Sequence, residues 1–453
     1  VVEREFSGAA RVTGGAGTGK TIVAVHRAVH LWLKYSPEPI LLTTYTRRLA
    51  EELRRRVEIK VGEIPDSLEI STLDSLVKRL LMETHPQLSV KYEKNEVEDY
   101  SGFLSLYKEI KPNVSQRTAW DEWEHIIDPW NIQTLNQYLS IKRIGRRTPL
   151  SPERRKALFP LFERMREELK KNEVCTGDQA CYLLAEHFRH AGPPFRCVIA
   201  DEAQDFGPAQ MTLVKALVPE NMPDNLFFCA DSAQRIYRRH APWLQVGIDV
   251  RGRSTHLRVN YRNTVQIYSY AENVLPQNLE GADETDTQDL LRRPIPCLSG
   301  DEPECHACED LRAQQQRLKE WLRRCLHDDI HRSQIGILAR TKSIAEEVTM
   351  PVFSELQLPY YKSWENRKQE DFEVWVGTVH SAKGLEFRGV AVVGVDNHSF
   401  PLWTVIKDVK DPGERNELLN QERQLLHTAL TRARERLFVS WVGQRSPFLN
   451  ELK

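Results

Sequence analysis

Eight consecutive residues near the start of the chain, Gly14-Gly15-Ala16-Gly17-Thr18-Gly19-Lys20-Thr21, have the composition and order needed to wrap a phosphate chain. The glycines let the backbone curl until its N–H groups face phosphate oxygens. Lys20 adds a point charge for the β and γ phosphates, and the Thr21 hydroxyl can ligate Mg2+. A second segment, Cys197-Val198-Ile199-Ala200-Asp201-Glu202-Ala203-Gln204-Asp205, is an apolar run that ends in two adjacent acids. Asp201 can hold the Mg2+ that Thr21 also holds, while Glu202 orients or deprotonates an attacking water. Taken singly, each has an ordinary reading, as a glycine turn before a helix or a solvated strand end. Together they describe hydrolysis of a nucleoside triphosphate.

Such groups need a scaffold that delivers them to one edge. Short β-rich apolar runs separated by helical patterns predict parallel sheets with crossover helices. The runs are Ala9 to Val12, Ile40 to Thr44, Leu68 to Thr72, Cys197 to Ala200, Asn225 to Cys229 and Thr255 to Val259. They continue with Ile335 to Ala339, Val374 to Thr378, Val390 to Val395 and Arg436 to Trp441. In open α/β sheets ligands gather at the carboxyl ends of strands, where these runs place their polar residues. Residues 85 to 190 read as a polar helical insert without a clear strand. The acidic, Pro-containing stretch from Gly281 to Glu309 reads as a connector.

A chain of 453 residues is too long for one core. Its 40% hydrophobic and 28% charged residues are ordinary globular material, and no apolar run approaches a bilayer span, so no membrane partner is expected. The net charge of -1 leaves any polyanion surface to local clusters of Arg and Lys. Eight scattered cysteines, several in apolar runs, suit a reducing, cytoplasmic setting. The first residue is Val1 and no leader follows it, so further sequence upstream is expected.

The ordered motifs resemble those of the superfamily-one UvrD/Rep/PcrA DNA helicases over nearly the whole chain. Leu42-Thr43-Thr44-Tyr45-Thr46 is similar to the family's motif Ia and Ile70-Ser71-Thr72-Leu73-Asp74-Ser75 to motif Ib. Ala230-Asp231-Ser232-Ala233-Gln234-Arg235-Ile236-Tyr237 resembles motif III, and Asn260-Tyr261-Arg262 motif IV. Gly377 to Phe387 resembles motif V, and Leu426 to Arg434 motif VI. The resemblance implies a 3′ to 5′ translocase on single-stranded or tailed DNA, with ATP and Mg2+ as cofactors. Lys20, Asp201, Glu202, Gln234, Arg262 and Arg432 would be catalytic. Nucleotide would lie on Gly15, Ala16, Gly17, Thr18, Gly19, Lys20, Thr21, Arg27, Tyr261, Gly384 and Glu386, with Tyr261 and Arg27 flanking adenine and Glu386 at the ribose. Thr44, Tyr45, Thr46, Thr72, Arg239, Thr378 and His380 would touch DNA.

The implied fold is two RecA-like α/β domains, the first carrying the helical insertion. Their expected bounds are 1–84 with 191–255 for the first, 85–190 for the insert as a candidate DNA-binding element, and 256–453 for the second. An arginine reaching the γ-phosphate from a second domain would make hydrolysis a closing and opening cycle.

Three departures stand out. The family's adenine-reading glutamine would precede Val1. Arg239 replaces the base-stacking tryptophan that follows motif III, with Trp243 as a candidate substitute. Only residues 362 to 373 separate Tyr361 from Val374, so the family's large insert before motif V has no room. Translocation without efficient strand separation is therefore an open alternative, as is a DNA-stimulated ATPase switch in a repair or anti-phage complex with a nuclease or repair-factor partner. Arg47, Arg48 and Arg54 to Arg56, and Lys142, Arg143, Arg146 and Arg147, are candidate phosphate contacts, against the alternative of solvated helix faces. Trp120, Trp123 and Trp130 read as insert core. Cys297, Cys305, His306 and Cys308 lack a second pair at zinc-finger spacing and read as a reduced surface loop.

Overall fold

The structure, a computed structural model, describes residues 1–141, 150–230, 243–275, 294–365, 367, 369–407, 409 and 412–449. It divides into two compact units. Val1–Thr13, Lys20–Ala230 and the segment ending at His256 form the first, while Gly14–Gly19 and the chain from Leu257 onward form the second.

The first unit carries β1 (Ala10–Thr13), β2 (Ile40–Thr44), β3 (Leu68–Thr72), β4 (Ser89–Lys91), β5 (Val174–Thr176), β6 (Cys197–Ala200), β7 (Leu226–Ala230) and β8 (Ser254–His256). Its sheet runs β3-β2-β6-β7-β1-β8, parallel throughout. Strands β1, β2, β6 and β7 are buried along their whole length, while the edge strand β3 alternates. That pattern follows from helices covering both faces of a parallel sheet. Helix α1 (Lys20–Tyr35) buries Ala24, Val25, Ala28, Val29 and Leu31. Helices α2 (Arg47–Val61) and α3 (Leu73–Thr84) begin where Thr46 and Thr72 cap them by accepting from Leu49 N and Ser75 N.

The insert forms its own core around Phe103, Trp120, Trp123, Tyr138, Phe162 and Met165, and Trp130 packs against it. It is not free of strands. β4 and β5 pair in parallel, Ser89 with Val174 through Lys91 with Thr176, in runs of three residues too short to give a periodic signal.

The second unit carries β9 (Val259–Thr264), β10 (Ile295–Leu298), β11 (Glu304–Cys308), β12 (Ile335–Ala339), β13 (Tyr360–Lys362), β14 (Val374–Thr378), β15 (Phe387–Val392) and β16 (Ala433–Val442). Its main sheet is β11-β16-β15-β12-β14-β13, again parallel, and β9 with β10 makes a separate parallel pair. Two expectations are corrected here. The run from Thr255 to Val259 is not one strand; it ends β8 in one unit and begins β9 in the other. The stretch to Glu309, read as a connector, contains β10 and the edge strand β11, whose register on β16 sets Cys305 opposite Val439.

At the amino ends of the first sheet, Asp224 is a hub. Its Oδ1 accepts from Phe6 N at 2.8 Å and Arg27 Nη2 at 2.6 Å, and its Oδ2 accepts from Lys34 Nζ and Tyr35 OH, both at 2.9 Å. Arg27 and Asp224 side chains are each 1% exposed. Replacing Asp224 by Ala leaves a buried guanidinium without its carboxylate, which should lower the unit's stability by about 3–5 kcal/mol. Urea unfolding followed by tryptophan fluorescence checks this. A midpoint equal to the wild type would show that Arg27 finds another partner.

Candidate active site

Asp201 and Glu202 follow β6 directly. Asp201 N donates to Thr43 O at 2.9 Å, which extends the β2–β6 ladder by one bond and holds the carboxylate at the sheet's carboxyl end. The Asp201 side chain is fully buried, and neither oxygen has a hydrogen bond of normal geometry among the described residues. Burial, then the neighbouring Glu202 carboxylate, push its pKa up to about 7, while the Thr21 hydroxyl and the Lys20 ammonium favour its charged form. Lys20 opens α1 and is 8% exposed. A buried carboxylate, a hydroxyl and a second acid beside them are oxygen donors of the kind a divalent cation takes, so the donor set fits Mg2+.

Glu202 adopts φ 55°, ψ 36°, the left-handed region that a side chain other than glycine enters at a cost. Its carboxylate accepts a hydrogen bond from Gln204 Nε2. The turn thus aims Glu202 away from the strand direction and leaves it half-buried beside Asp201.

In the second unit, the glycine loop Gly14–Gly19 packs with the segment from Leu257 onward. Tyr261 N donates to Gly17 O at 2.9 Å, and a Cβ on Gly17, at φ 74°, would lie 2.2 Å from Asn260 Oδ1 and 2.6 Å from Arg262 Cβ. Only glycine satisfies both the backbone angle and the space. Asn260 is buried and accepts from Arg262 N and Asn263 N, and Asn263 Nδ2 donates to Thr431 O at 3.0 Å and to Ala433 O at 2.5 Å. These bonds tie the Asn260–Arg262 segment of β9 to the start of β16. They also present the Tyr261 ring outward, 64% exposed. Arg262 Nε donates to Glu386 Oε2 at 2.8 Å, and Arg434 Nη1 lies 3.8 Å from Glu386 Oε1. Gly384 has φ 82°, the bend that brings Glu386 round.

Several expected site residues are placed otherwise. Arg27, expected beside adenine, is carried by α1 roughly 10 Å from Lys20 toward the amino ends of the sheet, where Asp224 and the carbonyls of Val2 and Arg4 hold its guanidinium. Thr44 is fully buried in β2 and Thr72 is 4% exposed at its helix cap, so neither presents a side chain to DNA. Tyr45 and Thr46 are half-buried. Arg432 is 1% exposed, with Nε on Thr428 O and Nη1 on Leu385 O, both at 3.0 Å, so its head supports the loop before Glu386. Trp243 packs edge-on against Phe228, ring centroids 4.5 Å apart, under the Arg11 guanidinium. It does not substitute for an exposed stacking ring. Arg54 donates to Ile70 O and Arg55 and Arg56 to Glu52, so that helix face is internally paired. Gln234, Arg239, Lys142, Arg143, Arg146 and Arg147 lie outside the described residues.

Thr378 Oγ1 accepts from Ser381 N, turning the chain after β14 so that His380 is half-buried. Burial, then the charge of Arg340, lowers the His380 pKa to about 4, so the imidazole is neutral at physiological pH. Arg340 was missed by the motif reading, although it follows the apolar run of β12 as Asp201 follows β6. It makes a two-bond pair with Glu422, at 2.9 and 2.7 Å, nearly buried on both sides. The thiols do not converge. Cys297 donates to Asn260 O, Cys305 to Tyr270 OH, and Cys308 to His306 O, while Cys305 and Cys308 fall on opposite faces of β11.

Comparison with known families places these elements. The UvrD/REP helicase N-terminal domain matches residues 2–242, and the UvrD-like helicase C-terminal domain matches residues 362–444. The chain belongs to the UvrD/Rep helicase family. It is accordingly an ATP-hydrolysing enzyme of the UvrD-like class. It is similar to DNA helicase IV of Escherichia coli (strain K12), 23% identical over 98% of this chain and 67% of that protein. It is also similar to a probable DNA helicase of Mycoplasma pneumoniae, 25% identical over 96% of this chain and 81% of that one. ATP-dependent DNA helicase PcrA of Staphylococcus epidermidis is 26% identical over 61% of this chain and 39% of its own length.

The left-handed backbone at Glu202 gives a stability test separate from catalysis. Glu202→Gly and Glu202→Ala both remove the carboxylate, but only alanine keeps the Cβ that the conformation disfavours. The glycine variant should be more stable by roughly 1 kcal/mol, measured by thermal melting, and equal melting temperatures would mean that the turn relaxes.

Proposed function

We propose that this UvrD-like enzyme couples Mg-ATP hydrolysis to movement along single-stranded DNA, in the 3′ to 5′ direction, with the domains closing on nucleotide and opening after hydrolysis. The observation that carries the reading is Asp201, a fully buried carboxylate beside Glu202, with the Lys20 ammonium as the positive charge acting on it. Thr21 and Asp201 would hold Mg2+, which when bound supplies charge neutralisation for phosphoryl transfer. Lys20 binds the phosphate chain, and Glu202 positions the attacking water and takes its proton. Tyr261 offers an exposed face for adenine, and Gly384 and Glu386 a ribose contact. Arg262, now on Glu386, would turn to the γ-phosphate when ribose competes for that carboxylate.

Within the second unit, β13 joins β14 through a short loop clasped by Arg367, which donates to Glu365 and to both oxygens of Glu373. That compact turn favours translocation over efficient strand separation. Eight free cysteines, six of them buried, support a cytoplasmic setting. Among the described residues no helix is long and apolar enough to cross a membrane.

Steady-state ATPase assays with and without a single-stranded oligonucleotide test the function. DNA should raise wild-type turnover many-fold and Lys20→Ala should abolish it. Glu202→Gln should keep ATP binding while losing turnover by roughly 10²–10⁴-fold. Chelation of Mg2+ should silence the wild type. Hydrolysis indifferent to DNA would reject the motor, and full turnover by Glu202→Gln would reject the assigned base.

A further inference from the structure

A protein that follows a single strand combines cations for the phosphates with aromatic faces on which bases stack. Among the described residues of the first unit no tryptophan is fully exposed: Trp243 is packed on Phe228, and Trp120 and Trp123 lie in the insert's core. Among the described residues, the tryptophan that stands out is Trp403, 49% exposed. It opens the short helix Trp403–Ile406, which follows β15 on the carboxyl side of the second sheet.

This ring is held in place rather than left on a loose loop. Asp396 Oδ1 accepts from His398 N and Ser399 N, each at 2.9 Å, and Trp403 N donates to His398 O at 2.8 Å. Leu402 N donates to Glu422 Oε2 at 3.1 Å, on the carboxylate that pairs with Arg340. Arg340 and Glu422 are also the charges that act on His380, so the turn carrying Trp403 shares its anchor with the Thr378–His380 turn. One helical turn on, Lys407 is exposed, and its amide donates to Trp403 O, so ring and ammonium rise from the same side. A second aromatic and cation pair, Lys342 over the Trp364 ring at 5.7 Å, follows β12 and β13 at the same edge.

We propose that Trp403 is a base-stacking platform for single-stranded DNA in this chain, with Lys407 on an adjacent phosphate. The inference rests on the proposed movement along DNA and adds a residue that the motifs do not contain. A base laid on the indole face would be held beside the Thr378–His380 turn, and stacking tolerates any sequence because every base has a π face.

The test is a fluorescence-anisotropy titration of the full chain with labelled oligothymidylate, and with the same strand carrying abasic sites. Trp403→Ala should bind oligothymidylate roughly 5- to 150-fold more weakly, and Trp403→Phe should recover most of that loss. The wild type should lose affinity when bases are removed, whereas Trp403→Ala should be nearly indifferent to their removal. Unchanged affinity in Trp403→Ala, with a wild type that binds, would overturn the assignment and leave the ring as a protein-docking residue. The assignment also falls if Trp403→Ala and wild type lose equally on abasic strands. A wild type that binds no oligonucleotide would remove the DNA reading and this inference together.

Discussion

The structure of the first unit is organised around a carboxylate that water does not reach. Asp201 sits at the end of a strand buried on both faces, its amide bonded into the neighbouring strand, its oxygens without ordinary hydrogen bonds among the described residues. A charged group in that position is unfavourable unless a cation arrives. Lys20 and Thr21 stand at the start of α1 as its electrostatic counterparts, and Glu202 adds a second negative charge that raises the demand. Under the proposed function, a cation bound with the nucleotide would relieve that negative charge.

Two turns along α1 the same sheet solves a different problem. Arg27 is as buried as Asp201, but its partner is supplied by the protein itself in Asp224. That ion pair also accepts the Phe6 amide, so the segment before β1 is fastened by the helix that begins at the phosphate loop. The contrast between a buried charge held in a hydrogen-bonded ion pair and one whose oxygens lack hydrogen bonds among the described residues separates the two groups more clearly than residue type does. Thr44 and Thr72 illustrate it again: both end strands, as binding residues should, yet one is sealed in the sheet and the other caps a helix.

The second unit uses asparagine amides for the same ordering. Asn260 and Asn263 bind the Tyr261 segment of β9 to β16, which leaves Tyr261 exposed and Arg262 within reach of Glu386. Arg432, by contrast, bonds to two backbone carbonyls and positions the loop that carries Gly384 and Glu386. Residues from three separated motifs thus act as one piece within this unit, some presenting a surface and others holding it.

The phosphate loop, the strand ending in Asp201 and Glu202, and the parallel α/β class were all legible in the sequence, because each depends on local pattern: glycines at fixed spacing, and apolar runs that end in polar residues. Strands β4, β5, β10, β11 and β13 were not, since they are short or interrupted by polar residues and gain their identity from the partner they pair with. Nor could spacing say which polar residues would face outward. Arg27 and Arg432 are turned inward by the helix phase and by carbonyls remote in sequence, while Trp403 is turned outward by a turn anchored on Glu422. Local chemistry along the chain determined what these residues could do. Which of them are free to do it was decided by tertiary contacts, because burial and pairing are properties of neighbours that the order of residues does not reveal.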